Sequence, residues 1–235
     1  MFWLLAGILV PLSRILAKIT IVDGHKLPRE GAFILSPNHF SEIDPVIMGV
    51  AVWKMGRAPR FMAKASLFRN GLLGWILRKA DQIPVEREGS TRGPGPLEAA
   101  AALVESGKGV VVYPEGSLTR DPDLWPMRGK TGAVRMALTH GLPVIPAAHW
   151  GTQDVMPRYS KKISLFPPKS ITVKVGDPVD LSAFAGRPLD ATTLSEATDV
   201  VMDAITALLA DLRGEEAPKE RWDPSKHNQK ETGRF

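Results

Sequence analysis

The chain of 235 residues contains no cysteine. That absence excludes a disulfide framework, a zinc site built on thiolates, an iron–sulfur cluster and a cysteine nucleophile. Its five histidines, at 25, 39, 140, 149 and 227, show no metal-ligand spacing, so no metal is expected. Aromatic residues make up only 7% of the chain, and no basic–aromatic repeat offers bases a stacking platform; no nucleic acid partner is expected. Long apolar runs are also missing, because the first uncharged stretch ends at Arg14, short of the ~20 residues a spanning helix needs. What is present, 44% apolar and 23% charged residues, is the composition of one ordinary globular domain.

The net charge is +5, and its distribution is uneven. Residues 57–92 hold eight bases (Arg57, Arg60, Lys64, Arg69, Arg78, Lys79, Arg87, Arg92) against Asp81, Glu86 and Glu88, a local excess equal to that of the whole chain. Such a stretch suits an anionic partner, whether lipid headgroup or phosphorylated small molecule. At the N-terminus, Met1 to Ser13 carries no charge, and Arg14 and Lys18 follow it. A signal peptide has its bases before the apolar run, so the order argues for residues 1–18 as a membrane-associating helical segment. Phe2, Trp3, Leu4, Leu5, Ile8 and Leu9 would lie in lipid with Arg14 and Lys18 at phosphates; the alternative is a buried N-terminal helix.

Ile19 to Val22 and Ala32 to Leu35 read as strands, and Pro45 to Met55, Leu72 to Lys79 and Pro96 to Glu105 as helices. Gly109 to Tyr113 and Pro143 to His149 are continuous apolar runs of buried-strand type, separated by the helical GKTGAVRMALTHG. Lys161 to Phe166 and Ile171 to Val175 read as closing strands. Thr193 and Glu196 form a capping box for a last helix whose apolar face is Leu194, Ala197, Val201, Ile205, Leu208 and Leu212. Alternating strands and helices predict an α/β fold with a mixed, mostly parallel sheet flanked by helices, spanning 19–213, before a polar, mobile tail at 214–235.

Two constellations carry chemistry. In NHFSEIDP, His39 stands on a strand-to-helix turn and Asp44 follows five positions on. Asp44 can take one imidazole nitrogen and leave the other to accept a proton from a hydroxyl; an ordinary loop histidine beside a helix cap has the same spacing. In YPEGSLTR, Glu115 and Gly116 follow the buried strand directly, with Ser117, Thr119 and Arg120 as donors, or the segment is simply a turn. Loops after parallel strands open onto one crevice, which would bring both constellations together. His149, after an apolar strand and with no acid near it in sequence, reads as structural.

Four blocks in order, NHFSEID at 38–44, IPVER at 83–87, YPEGS at 113–117 and VIPAA at 144–148, resemble those of the 1-acylglycerol-3-phosphate acyltransferases, a glycerolipid acyltransferase family with H-x4-D and P-E-G motifs. The resemblance implies a peripheral or monotopic enzyme on the cytoplasmic face of the cell membrane. It would move a fatty acyl group from acyl-CoA or acyl carrier protein, as co-substrate rather than cofactor, to lysophosphatidic acid or a related glycerophosphate, giving phosphatidic acid. Carried over by position, His39 is the general base, Asp44 its partner, Arg87 a phosphate contact, and Glu115, Gly116 and Ser117 the acceptor site, with Lys130 at a helix start. Where the family commonly has arginine this chain has Leu118, which passes the phosphate role to Arg120. A serine hydrolase is excluded by the missing G-x-S-x-G elbow. Glycerol-3-phosphate or a glycolipid as acceptor, or a non-catalytic lipid-binding protein, are the alternative readings. Apolar residues Leu67, Phe68, Leu72, Leu73, Trp75 and Ile76 between bases read as a lipid-facing mouth or as a core helix with a solvated basic face.

Overall fold

The computed structural model describes residues 17–85, 106–164 and 166–230, with Gly7 and Pro11. Of the expected membrane-associating helical segment 1–18, Ala17 and Lys18 stand in a strand instead, and apart from Gly7 and Pro11 the rest lies outside the described residues, as do the expected helix Pro96 to Glu105 and Arg87. The strands are β1 (Ala17–Val22), β2 (Ile34–Pro37), β3 (Met62–Lys64), β4 (Ile83–Val85), β5 (Val110–Val111), β6 (Val144–Trp150) and β7 (Lys169–Val175). The α-helices are α1 (Asp44–Lys54), α2 (Gly71–Lys79), α3 (Gly132–His140), α4 (Thr152–Val155) and α5 (Ala191–Arg213).

Five strands form one sheet in the order β1-β7-β6-β2-β5, and β3 pairs with β4 apart from it. β1 runs parallel to β7, and β2 parallel to both β6 and β5; β6 and β7 are antiparallel. The sheet is therefore mixed and mostly parallel, as the alternation predicts. Adjacent strand residues point to opposite faces. Leu35 and Ile145 meet α1 through Ile47, Met48 and Ala51. Their neighbours Ile34 and Val144 meet α3 and α5 through Val134, Ala137, Val201 and Ile205. Helices cover both faces, which is why these strands read as unbroken apolar runs. No helix among the described residues is long and apolar enough to cross a membrane.

Three expectations are corrected. Lys161 to Ser164 forms no strand, because two prolines, Pro167 and Pro168, deny amide donors just beyond it; β7 instead begins at Lys169. Helix α5 starts three residues earlier than the proposed box: Asp190 caps it, accepting the Thr193 amide at 2.8 Å, while Thr193 is buried inside the first turn. The segment after Gly214 is polar yet packed. Arg221 bonds Asp199 at 2.6 Å and pairs with Asp203, Trp222 O accepts from Arg128 N at 2.8 Å, and the Trp222 and His227 rings stack at 3.6 Å. Arg221 has its partners on α5 and Asp223 pairs with Arg128, so the described part of this polar segment is tied to the domain.

Candidate active site

Because β2, β5 and β6 are parallel, the loops after them leave from one edge of the sheet. After β2 comes Asn38 to Ile43, after β5 the Tyr113 to Ser117 turn, and after β6 Gly151 and Thr152. The two constellations predicted from sequence are brought together here, with a third loop that the sequence did not mark.

His39 Nδ1 lies 3.0 Å from Asp44 Oδ2, and the His39 side chain keeps 16% of its surface exposed while Asp44 has none. Asp44 opens α1 with Pro45 behind it, but its carboxylate does not cap that helix. It turns back instead, accepting the amides of Phe40 and Ser41, each at 2.8 Å, on Oδ2 and the Thr152 hydroxyl at 2.6 Å on Oδ1. Burial alone would push Asp44 up; His149 and the bonds from His39 and Thr152 outweigh it, and the group sits below the ordinary carboxylate range. Asp44 is thus ionised at neutral pH, and a carboxylate on Nδ1 fixes the tautomer that leaves His39 Nε2 as the proton acceptor.

Glu115 departs from the expected role of a hydroxyl acceptor facing substrate. It is fully buried, its Oε1 accepting His39 N at 2.8 Å and its Oε2 accepting Met127 N at 3.0 Å. Burial pushes its carboxyl up to about 8 against those bonds. Its place is between loops, holding the His39 backbone. Gly116 has φ +70, and a Cβ there would come within 2.9 Å of the Lys130 side chain. Exposed Lys130 therefore lies across the P-E-G turn, just before α3, and its amide bonds Pro114 O at 2.7 Å. Ser117 is half-buried beside it, with its hydroxyl 3.4 Å from Leu118 O.

Arg120 also departs from expectation. Only 1% of it is exposed, and its guanidinium lies 5.9 Å from the Tyr159 ring. The Thr119 hydroxyl bonds Trp125 O at 2.6 Å, and Arg158 Nη1 holds Thr119 O and Asp121 O at 2.6 and 2.7 Å, folding the loop inward and taking Arg120 with it.

His149 does have an acid close by: its Nε2 is 3.7 Å from Asp44 Oδ2 and 3.0 Å from Asn38 O. Asn38 in turn pairs its side-chain amide with the His149 backbone, donating at 3.1 Å and accepting at 2.9 Å. Tyr113 stacks on the His39 ring at 4.1 Å. Sequence reading missed Asn38, Tyr113 and Thr152 as site residues; of these, only Asn38 and Tyr113 stood inside the quoted blocks. Among the described residues no cluster of side chains could hold a metal ion.

A family model described as Acyltransferase matches residues 18–150, more than half the chain. The chain belongs to the acyltransferase family. This acyltransferase is 29% identical over 170 residues to the 1-acyl-sn-glycerol-3-phosphate acyltransferase of Bacillus subtilis, covering 72% of this chain and 78% of the relative. A probable enzyme of the same description from Mycoplasma genitalium is 22% identical over 199 residues, covering 81% and 71%. The chain spans only 31% of the longer chloroplastic enzyme of Brassica napus, at 30% identity over 109 residues. The crystal structure of the 1-acyl-sn-glycerophosphate acyltransferase of Thermotoga maritima superposes with a TM-score of 0.69 at 18% identity, covering 92% of this chain and 81% of that one, so this acyltransferase shares its fold.

Proposed function

We propose that this acyltransferase works at a membrane surface, moving a fatty acyl group from acyl-CoA or acyl carrier protein to the free hydroxyl of 1-acylglycerol-3-phosphate, giving phosphatidic acid. The observation that carries the reading is the His39–Asp44 pair, 3.0 Å apart on the edge where parallel strands end. A thioester is already activated, so no protein nucleophile is required. His39 Nε2 takes the hydroxyl proton as the oxygen attacks the thioester carbonyl; the C–O bond forms, the C–S bond breaks, and the proton leaves with the thiolate. The names of the Bacillus and Mycoplasma relatives support the acceptor. Arg87 and Lys130 are assigned to its phosphate; Arg120, being buried, is assigned to the loop instead.

Surface action is supported by α2 and the turn before it. Gly74 is buried and packs on Phe68 so closely that a Cβ would meet its carbonyl oxygen at 2.2 Å. At 100° per residue that contact turns Leu72 outward, 74% exposed, flanked by Leu73 and Trp75, with Leu67 beside them. Exposed Arg69, Arg78 and Lys79 accompany them, and residues 64–79 contain no acid. An apolar face ringed by bases fits an anionic lipid surface.

Thiol release from palmitoyl-CoA and from palmitoyl-acyl carrier protein tests the reading, with lysophosphatidate, glycerol-3-phosphate and a glycolipid as parallel acceptors. Release with lysophosphatidate that is absent without acceptor is expected. Turnover confined to the glycolipid would reassign the acceptor, and no acceptor-dependent release from any mixture would overturn the enzyme reading.

A further inference from the structure

Asp44 is fully buried, and its two oxygens have sharply different partners. Oδ2 collects His39 Nδ1 and the Phe40 and Ser41 amides, while Oδ1 receives the Thr152 hydroxyl at 2.6 Å. All three Oδ2 donors belong to the loop that carries the carboxylate itself; the Oδ1 donor comes from 108 residues away. Thr152 reaches it because β6 ends in a tight turn. Gly151 there has φ +108, and a Cβ would lie 2.2 Å from Ser170 O, so only glycine lets the chain bend close to β7 and present Thr152 inward.

Behind the same carboxylate stands His149, fully buried. Its Nδ1 has no hydrogen-bond partner among the described residues, and its Nε2 meets a carbonyl, Asn38 O, at 3.0 Å. A carbonyl only accepts, so the proton is on Nε2. Burial holds the ring below its usual pKa against the pull of the Asp44 charge. His149 therefore fixes the peptide between Asn38 and His39, while the 3.7 Å separation from Asp44 Oδ2 is too long for a second bond.

We propose that Thr152 and His149 are positioning residues for the His39–Asp44 pair, Thr152 by anchoring Asp44 Oδ1 and His149 by fixing the carbonyl that leads into His39. The inference rests on the reading of His39 as the base. The groups that face Asp44 are His39, His149 and Thr152, with Tyr113 and Glu115 near enough for its charge to raise both. Losing the Thr152 hydroxyl leaves a buried anionic oxygen without its donor, and such a carboxylate takes up a proton more readily. A protonated Asp44 no longer holds the His39 tautomer.

The test measures kcat and acceptor KM against pH, by thiol release, for His39→Ala, Thr152→Val, Thr152→Ser and His149→Phe in the full chain. Thr152→Val is expected to lower kcat about ten- to a hundredfold, the effect of one hydrogen bond to a charged group, with acceptor KM within about twofold. Thr152→Ser should restore most of kcat, because its hydroxyl can still donate to Asp44 Oδ1; His149→Phe should lower kcat with KM kept. Should Thr152→Val not fold, Thr152→Cys, with a weak donor of similar size, carries the same expectation. Wild-type kcat in Thr152→Val beside an inactive His39→Ala would overturn the proposal alone. Equal losses in Thr152→Val and Thr152→Ser would also overturn it, since packing would then explain both. Normal turnover in His39→Ala would remove the base assignment and this inference with it.

Discussion

Glu115 shows how one buried side chain can join two motifs. Its two oxygens tie the His39 amide to the Met127 amide, and burial raises its carboxyl to about 8. In the unfolded chain it titrates near its ordinary 4.5. Between those values the folded protein keeps a proton that the unfolded chain has released, so this contribution to stability is full below about 4.5 and is lost as pH rises through about 8. The melting temperature of the wild type should therefore fall from about pH 5 to about pH 9, and Glu115→Gln should flatten that slope; a slope unchanged by the substitution would show that Glu115 is ionised throughout. At His39 the expectation is kinetic. His39→Ala should lose at least the ~10²–10⁴-fold of general base catalysis with its circular dichroism intact, and Asp44→Asn as much or less. These two residues were legible because they lie five positions apart on one turn, and spacing carries local geometry. Thr152 was not, because its hydroxyl meets Asp44 across 108 residues and no sequence pattern marks that meeting. The burial of Arg120 was not legible for a related reason: a basic residue after a P-E-G turn looks exposed, whereas Thr119 and Arg158 fold its loop inward.

Helix α2 has nine residues and buries only Gly74. A helix that short gains little from its own hydrogen bonds and depends on what its faces meet. With Leu72, Leu73 and Trp75 exposed, the proposed surface action makes lipid the partner to test. Leu72→Glu and Trp75→Glu should each weaken flotation with anionic vesicles about tenfold or more, since each withdraws an apolar side chain worth ~1.5–3 kcal/mol from lipid. Thiol release with a short-chain, soluble acceptor should change little in either variant. Equal vesicle binding by wild type and both variants would move the contact elsewhere. The strands of the sheet were legible as apolar runs because helices cover both its faces, whereas the extent of β7 was not. Its outer positions Lys169 and Ser170 are polar, and their pairing with Ala17 and Lys18 is set by the partner strand. The cap of α5 was misplaced for a comparable reason, since Asp190 and Thr193 both satisfy the local pattern and the packing of Thr193 into the core decides between them.

Taken whole, the molecule gathers its candidate chemistry on one sheet edge and its exposed apolar face on α2, while β1, on the far edge of the sheet from β5, leads back to the uncharged N-terminal stretch. Removing residues 1–16, which leaves β1 intact, should reduce vesicle flotation and preserve the circular dichroism spectrum; combining it with Leu72→Glu should abolish flotation if the two are separate contacts with lipid. Loss of the folded spectrum in the truncated chain would instead make the stretch part of the core. The pairing of β1 has a further consequence during synthesis. Its partner β7 lies about 150 residues downstream, with Ala17 opposite Lys169 and Val22 opposite Lys174. At ~5–20 residues per second, the ribosome takes on the order of ten to thirty seconds to deliver that partner. Throughout that interval β1 has no place in the sheet, so the sheet closes only after nearly all of the domain has been made, and translation itself sets the order in which its edges are completed.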